Sequence, residues 1–191
     1  DLETEAANAA FEMCIDDLSR LHDQPLDVIA CDQHPDYRST RYAQTCGLPV
    51  VEVQHHHAHL LSCMADNALD PPVTGICWDG TGIGSDGTVW GGEVLTIAHD
   101  LDCFTREAHL RPFPLPGGDR AVVEPRRAAL GALYAIHGDR LFTEALHERL
   151  PFDAAQVPVL ARMLQRRINC PITSSAGRLF DAVAALLGVQ L

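Results

Sequence analysis

Two short runs rich in β-branched residues, Leu26-Asp27-Val28-Ile29-Ala30-Cys31 and Val50-Val51-Glu52-Val53, flank a helical segment from Tyr37 to Cys46 that Gly47 closes. Strand, turn, helix and strand in so short a stretch predict parallel pairing, because a crossover helix returns the chain to the end of the sheet it left. An amphipathic helix is predicted ahead of them over residues 4–22, with Ala7, Ala10, Phe11, Cys14, Leu18 and Leu21 at 3.6-residue rhythm. The predicted class is α/β.

The second strand runs into Gln54-His55-His56-His57-Ala58-His59-Leu60. A helix beginning near His55 places His55 and His59 one turn apart on one face and rotates His56 and His57 away. Imidazoles at that spacing can close on one zinc, iron or similar ion, although two ligands do not complete a site. The alternative is a polar helix start with solvated histidines. This helix should end near Asn67, ahead of Asp70-Pro71-Pro72. Cys63 is a further ligand candidate, better read as a core thiol. At the end of the first strand stands Asp32-Gln33-His34-Pro35-Asp36-Tyr37, where open α/β sheets place ligand-binding groups. His34 is therefore a candidate catalytic residue; equally, Asp32 and His34 can simply order the turn before Pro35.

A third strand, Val73 to Trp78, continues into Asp79-Gly80-Thr81-Gly82-Ile83-Gly84-Ser85-Asp86-Gly87-Thr88 and a fourth, Val89 to Ile97. The plain reading is an antiparallel hairpin. The functional reading is a carboxylate at a strand end, able to hold a metal or its water, followed by bare backbone N–H groups that cradle phosphate. Neither a Walker A loop nor a dinucleotide fingerprint is present, and strand–glycine turn–strand phosphate loops belong to actin-like ATPases. A strand from Cys103 to His109 leads to Leu110–Asp119, stiffened by three prolines and released by Gly117-Gly118. Helices are predicted from Glu124-Pro125 to Tyr134, Thr143 to Leu150 and Val157 to Ile168, with a last one opened by Thr173-Ser174-Ser175. Its N-terminus can be capped by serine or can seat a phosphate. The predicted organisation is an α/β lobe with metal and phosphate loops over residues 1–110 and a mainly helical part over 111–191.

A net charge of −12 argues against a sequence-blind grip on nucleic acid. Seven scattered cysteines without a C-x-x-C pair fit reduced thiols in a cytoplasmic protein. The apolar stretches Ala128–Ile136 and Ala182–Leu191 fall short of the roughly 18 residues of a membrane span. A start at Asp1 without a signal peptide suggests a piece of a longer protein.

Taken together, Cys31–Tyr37, Val53–His59, Trp78–Gly82, Trp90-Gly91-Gly92-Glu93, Arg111–Asp119 and Thr173–Asp181 resemble the HypF carbamoyltransferases of nickel–iron hydrogenase maturation, nearly end to end and in the right order. The resemblance implies the central part of that family's C-terminal domain, a partial actin-like ATPase (ASKHA) fold shared with TsaD and antibiotic O-carbamoyltransferases. It implies that carbamoyl phosphate and ATP form carbamoyl-adenylate in a separate upstream domain. The C-terminal cysteine of the partner HypE then attacks the carbamoyl carbon, releasing AMP, and the product supplies cyanide. It assigns His55 and His59 to a divalent metal, zinc or iron, with magnesium accompanying the nucleotide. Asp79, Gly80, Thr81, Gly82, Gly117, Gly118 and Asp119 would line the nucleotide site with Ser174 and Ser175 nearby, and His34 and Asp79 would be catalytic. A third metal ligand, a later aspartate, is expected beyond residue 191, and the segment alone is expected to be inactive. Competing expectations are an O-carbamoyltransferase, a TsaD-like tRNA modifier, and a non-catalytic metal- and nucleotide-binding module.

Overall fold

The computed structural model describes residue 2 and residues 4–22 and 25–189. Contacts divide the chain into two units, Asp1–His55 and His56–Leu191. In the first, α1 (Glu5–His22) is followed by β1 (Ile29–Asp32), α2 (Arg38–Thr45) and β2 (Val50–Val53). The two strands pair in parallel as predicted, Ile29 opposite Val50 through Asp32 opposite Val53. β1 starts at Ile29 rather than Leu26 because its partner strand begins only after Pro49, whose carbonyl accepts from Ile29 N (3.0 Å). Thr40 and Ala43 are the buried residues of α2. α1 buries no side chain fully, and its Phe11 meets Tyr42 edge-on, with ring centroids 5.5 Å apart.

The second unit takes in α3 (His55–Asp66, whose first residue closes the first unit), β3 (Val73–Ile83), β4 (Val89–Ile97), β5 (Thr105–His109) and β6 (Phe113–Pro114). After these come α4 (Arg120–Val123), α5 (Pro125–His137), α6 (Arg140–Thr143), a 3-10 turn (Leu146–Arg149), α7 (Gln156–Arg166), β7 (Ile172–Thr173) and α8 (Ala176–Leu186). The sheet is mixed. Its order is β3-β4-β7-β6, with β5 also on β4; β3, β5 and β4 are antiparallel, while β7 runs parallel to β4. Leu60 and Met64 of α3 pack with Cys77, Trp90, Leu95 and Ile97, and a second cluster gathers α5, α7 and α8 around Leu130, Leu160, Leu164 and Ala182. Among the described residues no helix is long and apolar enough to cross a membrane.

β7 and β6, from the later half of the chain, pair into the sheet of β3 and β4. Two expectations change. Asp79–Gly82 is not a loop but the distal part of β3, where the ladder shifts register between Trp78 and Gly82. The helix expected from Thr143 to Leu150 is broken at Ala145, which has φ +55°. A continuous helix would set Leu141 and Leu150, nine positions apart, on opposite faces. The break lets both join the same core.

Candidate metal centre

The pitch of α3 sets His55 and His59 one turn apart. Asp79, on β3, completes a group of three whose ligand atoms all lie within 4.8 Å of one another. Asp79 Oδ2 is 3.7 Å from His59 Nε2 and 3.9 Å from His56 Nε2, both too long for hydrogen bonds. Ligand atoms about 2.1 Å from a shared tetrahedral ion would stand roughly 3.4 Å apart, a separation the 3.7 Å between His59 and Asp79 approaches and the 4.8 Å limit of the whole group exceeds. His55 Nδ1 lies 2.6 Å from Asp32 Oδ2, which assigns its proton to Nδ1 and its lone pair to Nε2.

His56 is not turned away from this group. It is fully buried, with its ring 5.9 Å from that of Trp90, because residues three apart on a helix share a face as those four apart do. His57 packs on Phe104 at 4.9 Å, and burial lowers its pKa, favouring the neutral ring. Cys77 is pushed up to about 11 by burial and stays a thiol. Cys63 is exposed rather than in the core, on the wall of a cavity of about 350 Å³ that His59, Trp78 and Asp79 also line.

Close backbone approach holds the Asp79 segment in place. A Cβ on Gly91 would stand 2.5 Å from Asp79 O, and one on Gly177 2.7 Å from Gly80 Cα. Ser175 Oγ donates to Gly80 O (2.5 Å) and accepts from Arg178 N (3.1 Å), so the cap of α8 is also a clasp on β3. Ser174 Oγ donates to Glu93 Oε1. Glu93 is fully buried and also accepts from Gly91 N (2.6 Å), Gly92 N (2.5 Å) and Arg106 Nη2 (2.8 Å). Both serine hydroxyls are thus engaged inside the protein.

The other candidates are placed as follows. Gly80 N donates to Asp79 Oδ1 (2.6 Å), Thr81 is exposed, and Gly82 pairs opposite Trp90. Gly117 N donates to Asn169 O (2.8 Å) and Gly118 N to Leu115 O (3.0 Å), so these two N–H groups hold the chain's own carbonyls. Asp119 is exposed at the start of α4. His34 belongs to its turn: its N–H donates to Asp32 Oδ1 (2.8 Å), its Nδ1 accepts from Asp36 N (3.2 Å), and its ring stacks on Tyr37 at 4.2 Å. Asp32 is the residue the sequence reading left out of the site. The available signal was its place opposite Val53 in the parallel ladder, two residues before His55.

A helix and an irregular strand of a mixed sheet present two histidines and an aspartate, which defines an α/β protein with a candidate metal centre. Residues 75–191 match the family described as carbamoyltransferase, Kae1-like domain, second subdomain, and residues 1–66 match the HypF Kae1-like domain, so the chain belongs to the HypF carbamoyltransferase family. It is 42% identical over 194 residues to carbamoyltransferase HypF2 of Cupriavidus necator, covering 100% of this chain and 23% of the relative. It is 44% identical over 187 residues to carbamoyltransferase HypF of Rhodobacter capsulatus, covering 94% and 24%. A crystal structure of full-length HypF in the phosphate- and nucleotide-bound form superposes with a TM-score of 0.89 at 42% identity, over 100% of this chain and 24% of that one. The HypF structure from T. kodakarensis gives 0.85 at 34% identity, over 97% and 26%. The chain spans about a quarter of the length of these proteins.

Proposed function

We propose that this chain is the carbamoyl-transfer segment of a HypF protein, moving the carbamoyl group of carbamoyl-adenylate onto the C-terminal cysteine thiol of HypE for cyanide synthesis in hydrogenase maturation. The observation that carries this reading is the gathering of His55, His59 and Asp79 within 4.8 Å in a chain of the carbamoyltransferase family. Carbamoyl phosphate and ATP are the substrates from which the rest of the longer protein makes the adenylate. The thiol gives up its proton to solvent, the new C–S bond forms as the bond from the carbamoyl carbon to the adenylate oxygen breaks, and AMP leaves with that bond's electron pair.

The donor set fits zinc or iron(II), with magnesium kept for the nucleotide phosphates. A hydrogen bond from Nδ1 of one imidazole to a carboxylate is the arrangement expected of a metal-binding histidine, and His55 has it. A divalent ion held by His55, His59 and Asp79 supplies a Lewis acid for the carbamoyl or phosphate oxygen. In this reading the clasp of Ser175 on Gly80 keeps the Asp79 carboxylate in reach of both imidazoles. The protein works in the cytoplasm, and its net charge of −12 favours a protein acceptor over tRNA.

The test is transfer of radiolabelled carbamoyl from carbamoyl phosphate to HypE by the intact protein, with metal content measured alongside. His55→Ala, His59→Ala and Asp79→Asn should each lose bound metal and lower transfer roughly 100-fold or more. His99→Ala, an exposed histidine outside the group, should match wild type. Wild-type metal content and transfer in the first three variants would refute the assignment.

A further inference from the structure

We propose that Asp32 is a positioning residue for the metal centre: its carboxylate fixes the tautomer and orientation of His55 and joins that ligand to the His34 turn. The inference rests on the metal reading of His55, His59 and Asp79. Asp32 is the last residue of β1, and both of its oxygens are in use. Oδ2 stands 2.6 Å from His55 Nδ1, and Oδ1 accepts from His34 N at 2.8 Å. The pair is sheltered, with the His55 side chain 25% exposed and that of Asp32 15% exposed. The strand end itself is held separately, because Thr40 Oγ1 donates to the Asp32 carbonyl (3.0 Å), not to the carboxylate.

The chemistry follows from the donor inventory. An ionised carboxylate accepts at both oxygens, so it can take the His34 N–H and the His55 Nδ1–H together. That leaves the lone pair of His55 on Nε2, the atom a metal ion needs. An asparagine in the same place has only one acceptor. If its oxygen faces His34 N, its NH₂ faces His55 Nδ1 and drives the proton to Nε2, where it blocks ligation. If its oxygen faces His55, its NH₂ meets the His34 N–H, and the turn carrying His34, Asp36 and Tyr37 must rearrange. Asp32→Asn therefore keeps size and shape while making the ligand and the turn compete.

The experiment is a cobalt(II) titration of the intact protein followed by visible absorption, with His59→Ala as the blank that defines this site's signal. Asp32→Asn should weaken cobalt binding about 10- to 100-fold. Thr40→Ala, which loosens the strand end without touching the carboxylate, should leave affinity within about twofold of wild type. A normal affinity in Asp32→Asn beside a lost signal in His59→Ala would overturn the role of Asp32 and keep the metal reading. An unchanged signal in His59→Ala would overturn the metal reading itself. Should Asp32→Asn fail to fold, histidine-selective ¹⁵N spectroscopy of the unaltered metal-free protein decides the matter. His55 protonated on Nδ1 supports the proposal, and His55 protonated on Nε2 ends it.

Discussion

Glu93 and Asp79 lie on adjacent strands of one sheet, Glu93 opposite Cys77 and Asp79 two residues further along β3, yet the protein treats them differently. Glu93 is fully buried and takes hydrogen bonds from two backbone amides, a serine hydroxyl and the Arg106 guanidinium, which also stacks over Trp90 at 4.0 Å. Asp79 accepts a short bond from Gly80 N through Oδ1, while Oδ2 stands 3.7 Å from His59 Nε2, too long for a hydrogen bond, in a group with His55 whose ligand atoms lie within 4.8 Å of one another. A carboxylate surrounded by hydrogen-bond donors is a strut. One that faces imidazole nitrogens beyond hydrogen-bond distance is a candidate ligand. The Trp90-Gly91-Gly92-Glu93 motif, for all its distinctiveness, belongs to the first kind.

The comparison breaks most visibly at Glu93. Glu93→Ala leaves the buried Gly91 and Gly92 amides and the Ser174 hydroxyl without their acceptor and Arg106 with the Asp86 carboxylate at 3.1 Å, and should destabilise the domain by about 3–5 kcal/mol in denaturant unfolding. Normal stability with impaired transfer would mean that Glu93 acts in chemistry. Next is Gly177→Ala, whose new methyl would press on Gly80 Cα. It should cost about 1–3 kcal/mol and weaken metal binding as well, since it displaces the strand that carries Asp79. Loss of stability with unaltered metal affinity would separate the clasp from the site.

His59 has an expected stability effect that is smaller still. Its side chain is 58% exposed, so His59→Ala should shift metal-free stability by no more than about 0.5 kcal/mol while abolishing the metal signal. A large loss of stability would make it part of the core. The smallest effect lies away from both carboxylates. The hydrogen bond from Arg127, with that from Arg126, holds the Glu124 carboxyl below its ordinary value near 4.5. The folded state therefore binds fewer protons than the unfolded one below that pH, so this contribution is present above about 4.5 and fades as pH falls through the folded value. Glu124→Gln should flatten the acid limb of a stability–pH curve by at most about 1 kcal/mol, and an unaltered limb would show that the pair does nothing measurable.

Local rules made much of this molecule legible. Helix pitch sufficed for His55 and His59, the crossover rule for the parallel β1 and β2, and the capping preference for Ser175, because each depends only on residues a few positions apart. Where the reading failed, the cause was distant. The fate of the Thr143–Leu150 segment turned on which core Leu141 and Leu150 had to share. The partners of Ser174 and Ser175, on strands more than 80 residues earlier, are likewise beyond the reach of local rules.

The sequence by itself determined the α/β class, the two imidazoles one helical turn apart and the family to which they belong, since these follow from short-range backbone geometry and from motif order. Only the tertiary structure decided that Asp79 faces those imidazoles, that Asp32 grips His55, and that His56 is buried at the same carboxylate. Such juxtapositions depend on strand register and on glycines that let backbones touch, and no periodicity along the chain encodes either.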